Sequence, residues 1–355
     1  MSKIPGAYTL AEITSQPTVW GAAVNAFHQQ ADSLKALFAN HPFDRIIFTG
    51  CGSTYYLAQV GAALFQELLG VSARAHPSSE VALLPDFVLL PKTNTLLIAV
   101  SRSGETTETL AAARVFRERT GSPVVSVTCD AGSSLALLAD LSFAIPEAQE
   151  QSLAQTRSFA SMLIVTQAMA AALNGREDLK VLDRIGAVAA ALIDGYHDLA
   201  RQLGTERRIE RFFFLGSGAH YGVASEAMLK MKEMSLSYSE AFHVLEFRHG
   251  PMSMVNDHAL VVGLLSDAAY AQEASVLKDM RVRGAQVLTL GEQDYGLEIP
   301  PHFVRIQSGL PRWARPVTFL PVLQLMAYHR ALSNGQDPDQ PANLEFVISL
   351  DQSMM

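Results

Sequence analysis

Ser101, Arg102, Ser103 and Thr106 sit where an apolar run, residues 95–100, gives way to a helix start. That start is marked by Glu105 and Glu108, with Leu110, Ala113 and Phe116 behind them. The run reads as a buried strand and the acidic turn as a helix N-terminus. Unpaired backbone N–H groups and the positive end of the helix dipole attract an anion there. Short hydroxyls add donors of the kind that hold a phosphate. An ordinary capped strand-to-helix turn is the competing reading. Lys230 and Glu233 stand three residues apart, on one helix face, and by themselves read as a surface ion pair. His249 lies in Arg248-His249-Gly250-Pro251, where Gly-Pro must end a helix. Its imidazole can take and return a proton near neutral pH. His243, Glu246 and His249 also recur at intervals of three, but on a helix they fan over about 120°, wide for a shared ion. No HExxH or Cys/His pair accompanies them, so no metal site and no cofactor is expected.

The elements that carry these residues repeat. Arg45-Ile-Ile-Phe-Thr-Gly-Cys-Gly-Ser-Thr-Tyr55 aligns with Arg211-Phe-Phe-Phe-Leu-Gly-Ser-Gly-Ala-His-Tyr221 at a constant spacing of 166 residues. Ala58/Ala224 and Glu67/Glu233 continue the match into the following helix. Candidate strands are 45–49, 73–76, 95–100, 124–128 and 142–145 in the first half. In the second half they are 211–215, 259–265, 286–289 and 303–306. Apolar strands alternating with amphipathic helices mean parallel sheets covered on both faces. The expected fold is α/β, two tandem doubly wound domains. Leading helices would occupy 1–40, the first domain 41–195, the second 196–335 and a tail over the site 336–355; a helix at 182–203 joins the halves. Ligands bind such folds beyond the carboxyl ends of the strands, where both Gly-x-Gly turns and the Ser-rich turn lie. A dinucleotide fingerprint does not fit, because Gly50-x-Gly52 and Gly216-x-Gly218 are each followed three residues later by Tyr, not a third Gly.

Composition narrows the class. A net charge of −8 supplies no basic excess to offset phosphates, so neither nucleic acid nor an anionic membrane is an expected partner. Two cysteines, Cys51 and Cys129, give no disulfide framework and suit a reducing compartment. The apolar runs fall well short of the ~18–20 residues that span a bilayer. The first 30 residues lack a signal-peptide core. A cytoplasmic protein is expected.

Five motifs in order resemble the sugar isomerase (SIS) family, and within it the isomerase half of glutamine–fructose-6-phosphate aminotransferases. They are Cys51-Gly-Ser-Thr-Tyr-Tyr56, Ser101-Arg-Ser-Gly-Glu-Thr106, Ala154-Gln-Thr-Arg-Ser-Phe159, Lys230-Met-Lys-Glu-Met-Ser235 and Glu246-Phe-Arg-His-Gly-Pro251. The likeness runs from Glu12-Ile-Thr-Ser-Gln-Pro17 to Asp337-Pro-Asp-Gln-Pro341. It implies that Ser101, Arg102, Ser103 and Thr106 hold a sugar phosphate. Cys51, Gly52, Ser53, Thr54, Ala154 and Gln155 would surround the sugar. It also implies that Glu233 moves a proton between C1 and C2, that Lys230 polarises the oxygen there, and that His249 opens the ring. In the family the matching histidine reaches a neighbouring subunit's site, so a homodimer with a shared active site is implied.

Three departures bear on the reaction. The family usually has Gln at the Arg102 position, and a charge there could meet the phosphate or an anionic part of the substrate. Leu264-Leu265-Ser266-Asp267 puts an acid where the first half has Arg and Ser, so one sugar-phosphate site per chain is expected. The family's glutaminase half needs an N-terminal cysteine, and its tail carries a Schiff-base lysine. Here the first cysteine is Cys51, and Glu345-Phe346 follow Leu344, with no lysine after Lys278. The reading is a phosphosugar isomerase/deaminase of the glucosamine-6-phosphate type, which needs no protein Schiff base. The alternatives are a deglycase or isomerase of a phosphorylated sugar–amine adduct, ammonia-dependent glucosamine-6-phosphate synthesis, and a non-catalytic sugar-phosphate sensor.

Overall fold

The structure, a computed structural model, describes residues 4–175, 177–294 and 302–344. Two parallel five-stranded sheets account for all ten strands among them. The first sheet holds β1 (Arg45–Gly50), β2 (Ser72–Pro77), β3 (Thr95–Ser101), β4 (Val124–Thr128) and β5 (Leu141–Ala144). Its order is β2-β1-β3-β4-β5. The second holds β6 (Arg211–Gly216), β7 (Tyr238–Phe242), β8 (Ala259–Leu264), β9 (Gln286–Gly291) and β10 (His302–Arg305). Its order, β10-β9-β8-β6-β7, is the same one read from the opposite edge. The α/β doubly wound expectation holds for both halves.

The chain divides into two compact units. One surrounds the first sheet and comprises 18–150 and 157–186. The other surrounds the second sheet and comprises residues up to Pro17, Gln151–Thr156 and Ala187–Leu344. Of the expected tail, the described residues reach Leu344.

In the first unit β1, β3 and β4 are buried along their whole length, as strands covered on both faces must be. On one face Ile47, Leu97, Ala99 and Val124 pack with Ala112, Ala113 and Phe116 of the helix Thr107–Thr120. Within the same unit the helix Ser53–Leu69 packs on β1, so closely that a Cβ on Gly61 would come within 2.6 Å of the Phe48 ring. The helix Arg157–Asn174, buried from Ser158 to Ala172, packs against it. In the second unit Phe213, Leu215, Val261 and Val287 meet Val276, Leu277 and Met280 of the helix Tyr270–Val282. There the helix Ala219–Ser235 packs against Leu320–Ser333. The leading segment forms the helices Ala7–Thr14 and Gln16–Asn40, and the linker forms Ile185–Thr205.

One strand, β7, escaped the sequence reading. It is an edge strand with exposed or half-buried residues at four of five positions, so it lacks the apolar run that marks a buried strand. The repeat did mark it. Moving Ser72, the start of β2, along by the repeat spacing lands on Tyr238, the start of β7.

The repeated glycines close both strand-to-helix turns. A Cβ on Gly50 would lie 2.6 Å from the Thr54 backbone, and one on Gly216 would lie 2.3 Å from the His220 carbonyl oxygen. Neither neighbour is a side chain that could swing away. Gly50→Ala and Gly216→Ala should each lower the unfolding free energy by about 1–3 kcal/mol in urea titrations. Gly21→Ala, in a helix with open space at the Cβ position, should be neutral or stabilising by up to about 1 kcal/mol. Equal effects at all three would refute the close-approach account.

Candidate functional site

In the first sheet β1 and β3 are neighbours whose connections leave in opposite directions, the switch point at which this strand order binds ligands. The turns after these two strands carry the predicted phosphate and sugar residues. After β1, Gly52 takes φ 54 and ψ −124, a conformation that favours glycine, and the helix starts at Ser53. The Thr54 hydroxyl accepts from the Cys51 N–H at 2.9 Å, and Ser53 and Thr54 are buried. Cys51 Sγ lies 3.6 Å from Thr109 Oγ1, which lies 3.2 Å from Ser78 Oγ; that oxygen is 3.1 Å from Thr49 Oγ1. Burial pushes the Cys51 thiol up against the opposing pull of hydrogen bonds from Thr109 and Ser78. Cys51 is therefore a neutral thiol at pH 7 and a weak hydrogen-bonding group, not a nucleophile.

After β3 the loop folds on its own hydroxyls. Ser101 Oγ accepts from the Gly104 N–H at 3.1 Å, and Ser103 Oγ from the Glu105 N–H at 3.2 Å. Gly104 has φ 67, and a Cβ there would strike Ser133 Oγ at 2.0 Å. Its carbonyl accepts from the Leu135 N–H, and Glu105 accepts from the Ser134 N–H, so the turn is tied down at its middle. Thr106 is the N-cap residue of the helix, yet its side chain does not cap it. The hydroxyl instead lies 3.2 Å from Ser101 Oγ. The ordinary capped turn is thus not what these residues build. Two hydroxyls converge in front of a helix start, which is what an anion site requires.

Arg102 departs from the sequence expectation. Its side chain is buried and its Nη1 lies 3.5 Å from Glu150 Oε2, a carboxylate that also accepts from Ser158. The Arg102 carbonyl accepts from the Cys129 N–H and from Thr128 Oγ1. The guanidinium is committed to a buried ion pair, because an unpaired buried charge would cost several kcal/mol.

In the second unit Lys230 and Glu233 share the helix Ala219–Ser235, and the surface-pair reading fails. Lys230 is 1% exposed, with Nζ 2.5 Å from Glu233 Oε2 and 3.5 Å from Glu226 Oε1. Glu226 is fully buried while Glu233 retains 19% exposure. A buried ammonium thus stands between a carboxylate below it and one that reaches solvent. Sequence reasoning missed Glu226, although its place four residues before Lys230 is the spacing of a helical ion pair. His249 is exposed between the short turns Glu246–Arg248 and Pro251–Met254, and the structure brings it to neither Lys230 nor Glu233 by a hydrogen bond among the described residues. Ala154 is buried and Gln155 half-buried, in the segment Gln151–Thr156.

The counterpart switch point, between β6 and β8, is built differently. Ser217 takes the place of Cys51, and Glu273 of the following helix hydrogen-bonds it and accepts from the Ser266 N–H at 2.7 Å. Burial pushes the Glu273 carboxyl up. Asp267 pairs with Arg315 at 2.5 Å. Where the first unit offers hydroxyls and amides, the second meets its own turn with carboxylates, which fits one phosphate site per chain.

Comparison with known proteins agrees with this duplicated architecture. A single family model, the SIS domain, matches residues 41–172 and again 207–294. The chain is 30% identical to a glutamine–fructose-6-phosphate aminotransferase (isomerizing) of Thermococcus kodakarensis over 97% of its own length and 58% of that protein. It thus spans little more than half the length of the curated relatives it matches. Among solved structures, the C-terminal domain of glucosamine-fructose-6-phosphate aminotransferase from Francisella tularensis superposes with a TM-score of 0.83 at 25% identity. That match covers 94% of this chain and 98% of that one. Glucosamine-6-phosphate deaminase from Thermotoga maritima gives a TM-score of 0.71 at 29% identity, over 93% of this chain and 100% of the other. With each sheet matched in turn by the same model, the chain belongs to the SIS domain family.

Proposed function

We propose that the protein is an aldose–ketose isomerase/deaminase that converts an amino-sugar 6-phosphate of the glucosamine type, with water, into the ketose 6-phosphate and ammonia. The observation that carries this reading is the buried Lys230 ammonium held against Glu233, whose carboxylate still reaches solvent. A sugar carbon acid needs a carboxylate placed on one face of C1–C2 and a cation beside the oxygen where charge develops. Lys230 and Glu233 supply both from one helix.

The hydroxyls of Ser101, Ser103 and Thr106 receive the phosphate, and the Cys51–Thr54 and Ala154–Gln155 segments border the sugar. His249 opens the ring, giving the C1 aldehyde. Glu233 takes the C2 proton while Lys230 stabilises the oxygen at C1, which forms the enolamine. Return of the proton to C1 leaves an iminium at C2. Water adds there and ammonia departs, giving the C2 ketone. A homodimer in which His249 serves the partner's site completes the scheme.

Two features favour deamination over its rivals. Glu345-Phe346 stand after Leu344, where the family's imine-forming lysine is expected, and the deaminase from Thermotoga maritima matches over 93% of this chain and 100% of its own. A deglycase would gain from a cation at the substrate's carboxylate, whereas Arg102 is buried beside the Glu150 carboxylate at 3.5 Å.

Ammonia release from glucosamine 6-phosphate, beside a panel of other 6-phosphosugars, tests the reading. Glu233→Gln keeps the shape but removes the base. It should lower kcat by ~10²–10⁴-fold with little change in sugar-phosphate binding. Tight binding of sugar phosphates by the unaltered protein with no turnover of any would replace the enzyme by a sensor. The shared site has its own test: mixing Glu233→Gln protein with His249→Ala protein under subunit exchange should recover part of the activity. Proven exchange without recovery would put His249 in its own subunit's site or outside catalysis.

A further inference from the structure

The leading helix Ala7–Thr14 and the start of the next present a buried polar row, Thr9, Glu12 and Gln16, at intervals of three and four residues. Such a row should face solvent, since burying polar groups is costly unless each finds a partner. Thr9 and Gln16 are fully buried and Glu12 is 3% exposed. Their partners all lie in one short stretch and its neighbours. Glu12 Oε1 accepts from the Gln151 N–H at 2.6 Å and from the Ser152 N–H at 3.3 Å, and Oε2 accepts from the Ser152 hydroxyl. That hydroxyl lies 3.2 Å from the Ala154 carbonyl oxygen. Gln16 donates to Gln324 Oε1 at 2.9 Å, and Gln324 donates to the Thr156 carbonyl at 3.1 Å. Asp339, fully buried, accepts from the Thr9 N–H and hydroxyl with its side chain and from the Leu153 N–H with its carbonyl.

We propose that Glu12 is a positioning residue for the sugar. With Gln16 and Asp339 it clamps the segment Gln151–Thr156, so that Ala154 and Gln155 are held in one conformation before substrate arrives. The proposal rests on the placing of Ala154 and Gln155 beside the sugar in the function proposed above. Of these six residues only Gln151 is exposed, and three elements place polar groups on them: Glu12, Gln324 and the Asp339 carbonyl. The Gln155 side-chain oxygen, buried and without a hydrogen-bond partner among the described residues, is also an acceptor left for a ligand's hydroxyl. A carboxylate suits the Glu12 position because two acceptor oxygens meet three donors. An amide offers one oxygen and turns an N–H toward a backbone N–H.

Glu12→Gln should therefore loosen the segment without touching the phosphate turn. Hydrogen exchange at the Gln151 to Leu153 amides should quicken at least ten-fold. kcat/KM for glucosamine 6-phosphate should fall about 10- to 100-fold, chiefly through KM, while the Kd for inorganic phosphate stays unchanged. Ser152→Ala, which removes one donor and no charge, should give a smaller loss of the same kind and carries the test if Glu12→Gln fails to fold. Quickened exchange with unaltered KM would overturn the proposal, as would a parallel loss of phosphate binding. If the unaltered protein turns over no 6-phosphosugar while the exchange result holds, the clamp stands as a structural device and the proposed function fails instead.

Discussion

A parallel sheet ends all its strands on one edge, and each helix that follows starts there with backbone N–H groups in need of acceptors. Both units of this chain inherit that constraint at the same switch point, and they meet it in opposite ways. The first answers with small hydroxyls: Ser101 bonds Thr106 and the Gly104 amide, Ser103 bonds the Glu105 amide, and the helix start is left without a side-chain cap. The second answers with Glu273, a carboxylate delivered from the helix that follows. In the proposed function an anion from outside is received at the first edge, while at the second the turn's Ser266 amide is already met by Glu273. In that proposal the duplication gives one binding edge, and the other half supplies groups for chemistry.

Those groups are charges held out of water, which the fold must compensate one by one. Lys230 has Glu226 and Glu233, Arg102 has Glu150, and Glu12 has the donors of Gln151 and Ser152. Buried pairs of this kind add little net stability, because desolvation offsets most of the attraction. Their value is in fixing where a side chain stands. Glu233 is the informative member, because it alone of the three in its triad reaches solvent.

Much of this was legible in the residues alone. Nine of the ten strands were placed from the sequence pattern, and the Gly-x-Gly repeat reveals the duplication; the strand order comes from the fold. The edge strand β7 did not, because an edge needs no apolar face on both sides. The Ser-rich turn after β3 was recognisable from its types and spacing. The long-range partners of buried charges were not. Glu150 lies 48 residues from Arg102, and Glu12 lies 140 residues from Ser152, separations that only the folded chain closes. Arg102 shows the consequence: its sequence position suggested a ligand contact, and the fold also sets it beside Glu150, a neighbour the sequence does not reveal.

The central claim is that Glu233 moves a proton at C2 of a phosphorylated sugar. Wash-in of solvent deuterium at that carbon, followed by NMR on glucosamine 6-phosphate with the unaltered protein and with Glu233→Gln, measures this step apart from ammonia release. The account predicts incorporation by the unaltered protein and its loss, by ~10²–10⁴-fold in rate, in the variant. Undiminished exchange in Glu233→Gln would give the base to another residue and contradict the account.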